Sequence, residues 1–477
     1  MLVAENESAK PHVAIMPSPG MGHITPLLEI AKRLVVLHDF HVSFIVVATN
    51  EVSAGQDNLL RSSTLPPGLD VVYLPTVDVF AVTTDGMPVA ARLSVIVEEA
   101  IKPLKSVLVE LGKIKAVVID LFCTQVFDIC GELSIPAYLF FTASVALLTF
   151  SLYLPTLDRE VEGEFVDLPE PVKVPGCPPI RPEDLLDQVK NRKIDEYKWY
   201  LFHSSRFHLG AGIFLNSWED LEPANLKAIT EDPFFKRIHT PPVHPVGPLI
   251  KQEEPPLTAS DADCLAWLDK QPPNSVLFVS LGSGGTLTAE QFTELAWGLE
   301  LSHQRFIFVV RMPTNSSASA TFFNSGSDVN DPKAYLPEGF SERTRERGVV
   351  VPSWAPQVLV LKHPSTGGFF THCGWNSILE AVTHGVPMIA WPLYAEQRMN
   401  ATILAEEIGI AIKPAAEPGS SLVGREEVER VARLVILEGK DMMRKRIREL
   451  KDSAARTMEI DGSSYDSLAC LAKEWKS

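Results

Sequence analysis

Short apolar runs alternate with longer amphipathic ones along the whole chain, and no other feature narrows the fold as far. It is the pattern of an α/β protein with parallel sheets. In the first half, strands are expected at 12–16, 42–47, 71–74, 116–119, 137–140 and 212–215. A Gly-rich turn and a helix over about 24–37 follow the first of them. The second half repeats the style, with strands at 276–280, 306–310, 348–351, 367–370 and 387–390. Between the halves, residues 245–263 (PVGPLIKQEEPPLTASDAD) are rich in Pro and acid and lack periodicity, which reads as an interdomain linker. The low-pattern stretch 314–332 is expected to be a long surface loop. The resulting division is an N-terminal domain at 1–248, a linker at 249–263 and a C-terminal domain at 264–456. Ligands are expected in the cleft between the two.

Bulk properties fit this division and exclude several partners. With 477 residues, two domains are the default, and 45% hydrophobic content with a mean hydropathy of +0.08 builds ordinary cores. A net charge of −17 and a pI near 5.2 argue against nucleic acid and anionic membranes, which need a basic surface. A diphosphate ligand stays compatible, because helix N-termini and one or two side chains bind it without overall positive charge. Six cysteines are scattered without CxxC spacing, so free thiols in a reducing, cytoplasmic setting are expected, with neither a zinc site nor a disulfide scaffold. No basic n-region precedes a long apolar run, so no signal peptide is expected. No window approaches the ~18–20 apolar residues of a transmembrane helix. The sequon at Asn315 is read as an accident of a Ser-rich loop, and Arg444, Lys445, Arg446 and Arg448 as a solvated helix face.

Several motifs carry chemistry. In Pro17-Ser18-Pro19-Gly20-Met21-Gly22-His23, between strand and helix, two glycines let the backbone approach a ligand. The turn lacks GxGxxG and the Walker lysine, so dinucleotide and ATP readings fail. His23 is either structural or a base facing the crevice at the sheet's C-terminal edge. The run Lys115-Ala-Val-Val-Ile-Asp120 ends a buried strand in a carboxylate on that same edge. Asp120 either caps a following helix or holds one imidazole nitrogen so that the other acts as a base.

In the second half, Leu281-Gly282-Ser283-Gly284-Gly285 has leucine where a GxSxG nucleophile elbow requires glycine. As a strand–Gly-rich loop–helix unit, with Thr288 and Gln291 as a capping pair, it suits a diphosphate instead. Residues 354–397 concentrate groups suited to a nucleotide sugar. They hold an indole at Trp354, amides at Gln357, Asn376 and Gln397, His372, Ser377, and carboxylates at Glu380 and Glu396. A helix starting near Trp375 would place Asn376 and Glu380 one turn apart on one face, with Ser377 beside them. Cys373 reads as a small buried residue. Trp354 is either core or an exposed ring on which a base stacks.

This segment resembles the plant secondary product signature, the donor-binding box of family 1 UDP-glycosyltransferases. The match covers WAPQ, the HCGWNS core, Glu380, Gly385-Val386-Pro387 and the closing Glu396-Gln397. PSPGMGH and Asp120 fit the same family, and the resemblance spans essentially the whole chain. Among its members, the chain is similar to glucosyltransferases acting on hydroquinone, monolignols and related small phenols, some of which also glucosylate anilines.

The resemblance implies a GT-B fold: two Rossmann-like domains, acceptor in the first, UDP-sugar in the second. The last helix, 457–477, would cross back onto the first domain. It implies His23 as the base that deprotonates the acceptor and Asp120 as its orienting partner. Trp354 would stack uracil while the backbone of Ala355 reads its edge, and Gln357 and Glu380 would take the ribose. Ser283, His372, Asn376 and Ser377 would hold the diphosphate, and Trp375 would belong to the same UDP-sugar site. Glu396 and Gln397 would grip the sugar, and Thr142 its primary hydroxyl. Many members carry aspartate where Glu396 stands; glutamine at Gln397 fits glucose donors.

Acceptor-pocket candidates are Phe122, Phe140, Phe141, Leu147 and Tyr394, each also able to be core. The implied activity is inverting transfer of glucose from UDP-glucose to a small phenol, or also to an amine, by a monomer. Neither a metal nor a further cofactor is expected. Two rival readings stay open at this stage. A nucleotide-sugar epimerase or oxidoreductase is opposed by the missing GxGxxG and Tyr-x-x-x-Lys, and a silent UDP-sugar binder by the presence of both His23 and Asp120.

Overall fold

The computed structural model describes residues 10–51, 56, 59–60, 65–84, 86–252, 257–314, 332–416, 422–437 and 441–477. Asn315 and nearly all of the loop expected at 314–332 lie outside them. The first half holds seven strands: β1 His12–Met16, β2 His41–Val46, β3 Leu69–Tyr73, β4 Ile114–Asp120, β5 Ala137–Phe141, β6 Ile213–Leu215 and β7 Val243–Pro245. The second holds six: β8 Val276–Ser280, β9 Arg305–Val310, β10 Gly348–Pro352, β11 Thr366–Thr371, β12 Met388–Ala390 and β13 Ala411–Ile412.

All strand pairs are parallel, in the orders β3-β2-β1-β4-β5-β6-β7 and β10-β9-β8-β11-β12-β13. Each is a doubly wound sheet whose order reverses at one point, between β1 and β4 and between β8 and β11. At such a switch point the loops beyond the strand ends diverge and leave a crevice for ligand. The expected α/β class with two Rossmann-like halves is what the chain folds into.

The sheets form because their central strands are β-branched or aromatic and buried on both faces. Side chains alternate between two apolar layers. In β5, Tyr138 and Phe140 join the layer that holds helix Met21–His38 and the C-terminal helix, while Leu139 and Phe141 join the opposite one. That C-terminal helix, Ser463–Lys476, comes from beyond the second sheet and seats Trp475 among Phe40, Tyr138 and Phe214 of the first.

Several local expectations need correction. The stretch 245–263 is not uniformly irregular: β7 ends at Pro245, and helix Ala259–Leu268 starts behind a capping box between Thr258 and Asp261. β7 and β13 are edge strands of three and two residues, too short to show a period of two. Thr288 caps helix Ala289–Leu301 as expected, but the Gln291 side chain does not reach back to it. Its amide instead pairs with both backbone groups of Val423.

Candidate functional site

The two switch points open onto a single cavity of about 820 Å³, lined from both halves. On the first edge, Gly20 at φ 114 turns the chain out of β1 into helix Met21–His38, and His23 falls in its first turn. Asp120, the last residue of β4, is completely buried beneath it. One carboxylate oxygen accepts hydrogen bonds from the Ser18 N–H at 2.7 Å and the Ser18 hydroxyl at 2.6 Å, and lies 3.1 Å from His23 Nδ1. The other accepts the Phe122 N–H at 2.9 Å. Asp120 therefore braces its own turn and also meets the histidine, but it does not cap a helix. The next helix begins only at Val126, too far along to be capped by it.

Thr142 Oγ1 is 3.3 Å from the same His23 nitrogen, and the Phe122 ring lies 5.5 Å from the imidazole. With Nδ1 occupied by these oxygens, Nε2 is the ring nitrogen left for the cavity that His23 lines. Burial alone would push the Asp120 carboxyl up. The adjacent His23 and the two Ser18 donors outweigh it and hold the group below the ordinary carboxylate value.

On the second edge, His372 follows β11 and is packed between two glycine backbones. A Cβ at Gly374 would stand 2.5 Å from its Nε2, and one at Gly282 would stand 2.4 Å from its Cε1. Gly282 also sits at φ 76, so the Gly-rich loop after β8 shapes the wall of an imidazole slot. Burial, then the nearby Arg311, push His372 down to about 4, so it is neutral near pH 7. Its Nδ1 is buried with no hydrogen-bond partner.

Helix Trp375–His384 carries the rest of the box. Gln357 bridges to it, donating to Ser377 Oγ at 2.9 Å and Glu380 Oε2 at 2.6 Å, so the residues expected at ribose and phosphate already form one network. Asn376 donates to the Gly22 carbonyl of the other half at 3.0 Å, and its Oδ1 has no partner. The Trp354 ring is 50% exposed at the cavity mouth, which supports the exposed reading over the core one; Ala355 lies beside it and is buried.

Gln397 spends its side-chain oxygen on the N–H groups of Leu393 and Tyr394, at 2.9 and 3.0 Å, which fixes the loop carrying Glu396. Burial raises the Glu396 carboxyl, and Asn400 reaches it at 3.4 Å. Ser283, Thr142, Leu147, Phe122 and Tyr394 also line the cavity.

Three expectations change. Phe140 and Phe141 are not on the cavity wall: both are fully buried, against Phe214 and Phe207 on opposite faces of the sheet. β5 runs one residue further than expected, so the first side chains past its edge are Thr142 and Ala143. Trp375 borders the cavity, but its indole N–H is committed to the Asn216 carbonyl at 2.9 Å, which makes the ring a tie between the halves. Cys373 is buried with its thiol pushed up by burial, as an inert residue would be.

Among the cavity residues that sequence reasoning missed, one carries a charge beside the donor box. Arg311 follows β9, donates to the carbonyls of Ser283 and Ser353, and pairs with no carboxylate among the described residues. Burial holds it down to about 10, still a cation. The signal was available: FIFVV running into arginine repeats the apolar-strand-then-charge pattern of Asp120.

Comparison with known proteins agrees with this arrangement. Residues 241–416 match the family model described as UDP-glucoronosyl and UDP-glucosyl transferase. The chain is 45% identical to hydroquinone glucosyltransferase from Rauvolfia serpentina over 98% of both chains. Among solved structures, that of TcCGT1 with UDP aligns with a TM-score of 0.90 at 45% identity, covering 98% of this chain and 99% of that one. The structure of Phytolacca americana UGT2 with UDP-2fluoro-glucose and pterostilbene aligns at 0.87 and 41%, covering 98% and 100%. Two doubly wound sheets meeting at their switch points and 45% identity to such enzymes over nearly the full chain lead to one assignment: the chain belongs to the family 1 UDP-glycosyltransferases and has their GT-B fold.

Proposed function

We propose that this enzyme transfers glucose from UDP-glucose to a hydroxyl of a small phenol, with inversion at the anomeric carbon, and that the first sheet serves the acceptor and the second the donor. The observation that carries this reading is that the His23–Asp120 pair faces the same cavity as the 354–397 box. The relatives' names point to phenolic acceptors, hydroquinone in one and pterostilbene in another.

In this reading, His23 Nε2 takes the acceptor proton as the phenol oxygen attacks the anomeric carbon. The new C–O bond forms as the bond to the diphosphate oxygen breaks, and UDP leaves with that electron pair. Asp120 balances the imidazolium that results. Uracil stacks on Trp354 beside the Ala355 backbone, and Gln357 and Glu380 hold the ribose. Ser283, His372, Asn376 and Ser377 hold the diphosphate at a helix N-terminus, where an anion gains roughly 0.3–1 kcal/mol from the dipole. Arg311 adds a fixed cation to that wall, so the leaving charge is met by protein groups without a metal. Glu396 and the Gln397 amide nitrogen take sugar hydroxyls, with Thr142 near the primary one. The chain acts as a cytoplasmic monomer.

The test is incubation of the purified protein with UDP-glucose, UDP-galactose or UDP-xylose and a set of simple phenols. A β-glucoside identified by mass and anomeric coupling, formed best from UDP-glucose and unaffected by EDTA, is expected. Failure to glycosylate any phenol, or a preference for UDP-galactose, would overturn the reading.

A further inference from the structure

The cavity wall is not uniformly apolar. Leu93, Phe122, Leu147 and Leu186 give it the character of an aromatic slot, but Gln188 and Glu196 also line it. Gln188 is 9% exposed and its side-chain oxygen is buried without a hydrogen-bond partner among the described residues. Glu196, 8% exposed, accepts a hydrogen bond from the backbone of Ala90, and no cation pairs with it among the described residues. A cation that also lines the cavity, Arg92, reaches both oxygens of Glu51 at 2.6 and 2.7 Å.

Neither side chain explains itself as structure. Glu196 lies in the first turn of helix Asp195–Arg206, where a carboxylate is favoured. Its observed partner is nevertheless another helix, Val89–Ala100, and burial with Asp187 nearby raises its carboxyl. Gln188 is fixed by its neighbour. Asp187 donates its N–H to the carbonyl of Ala395, one residue before Glu396, accepts the Ala395 N–H on its carboxylate at 2.9 Å, and is clamped by Arg398 at 2.8 Å. A buried oxygen left without a donor is costly unless something supplies one.

We infer that the Glu196 carboxylate and the Gln188 amide oxygen form a hydrogen-bond-accepting subsite that selects phenols carrying a second hydrogen-bond donor, a hydroxyl or an amino group, besides the hydroxyl that is glucosylated. This rests on the phenolic reading above and narrows it. Accepting oxygens in a largely apolar slot reward a ligand O–H or N–H and penalise the methyl ether of the same shape, which leaves them unpaired.

The test uses two matched acceptor pairs of different reach: hydroquinone against 4-methoxyphenol, and 4,4′-dihydroxystilbene against its mono-methyl ether. In at least one pair the wild-type protein is expected to favour the diphenol in kcat/KM by about 10-fold or more, beyond the factor of two that equivalent hydroxyls give. The difference should lie in KM. Glu196→Leu and Gln188→Leu should each bring that ratio down towards the statistical value. Glu196→Gln, which keeps an accepting oxygen, should restore most of it; a merely structural role would not follow this order. No preference in either pair, or a preference that survives both leucine variants, would overturn the inference. Absence of transfer to all four phenols would instead sink the phenolic reading itself.

Discussion

The two sheet edges that face each other across the cavity treat their polar groups in opposite ways. On the first, Asp120 is saturated: Ser18 twice, Phe122 and His23 all converge on it. On the second, His372 Nδ1 and Asn376 Oδ1 are buried without partners among the described residues, and Arg311 donates to backbone carbonyls. A closed network holds one nitrogen in one place, which is what proton transfer needs. An open set leaves hydrogen-bonding capacity and positive charge for a ligand to use. In the proposed function the same fold, repeated, serves chemistry at one edge and binding at the other.

The largest effect should come from the closed edge. His23→Ala is expected to cut kcat by about 10²–10⁴-fold, read by initial rates at saturating UDP-glucose. Asp120→Asn should cost less, roughly 10²-fold, because the imidazole stays but loses its charge partner. A loss larger than that of His23→Ala would mean that Asp120 acts chiefly by holding the turn.

The open edge should respond in affinity. Removing the cation with Arg311→Met is expected to raise the Kd for UDP-glucose by about 10-fold or more, as for a hydrogen bond to a charged group worth ~1.5–3 kcal/mol. Its effect on kcat should be smaller, and an unchanged Kd would remove Arg311 from the donor site.

The smallest effect concerns pH. His372 is neutral in the free protein because its pKa is about 4, and a bound diphosphate must raise that value. A group whose bound pKa exceeds its free pKa favours binding on the acid side. UDP-glucose should therefore bind several-fold more tightly as pH falls through the bound value towards 4, with proton uptake visible by calorimetry in two buffers. The uptake should vanish in His372→Gln.

The contrast between the edges also explains what could be read from the sequence. His23 and Asp120 were legible because each is a polar residue set at the C-terminal end of an apolar strand or in the turn after it, and a parallel sheet collects such ends on one edge. Arg311 obeys the same rule and was passed over because it lies outside the motif-rich segment. The donor box was legible because most of it is one contiguous strand–turn–helix.

The acceptor wall is different. Phe140 and Phe141 were misplaced because one extra strand residue decides which side chains clear the sheet edge and which are buried within it. Gln188 lies in a three-residue 3-10 turn tied to Ala395, a contact more than two hundred residues apart in sequence, and no local pattern announces it. The commitment of Trp375 to Asn216 is likewise a tertiary fact, invisible in the helix that carries it.

The division of labour between the edges is tested most directly by titrating UDP-glucose into the His23→Ala protein while following glucosyl transfer in the same samples. The expected result is a Kd close to that of the wild type with transfer reduced by about 10³-fold. Full transfer without the imidazole, or a loss of UDP-glucose affinity as large as the loss of transfer, would contradict it.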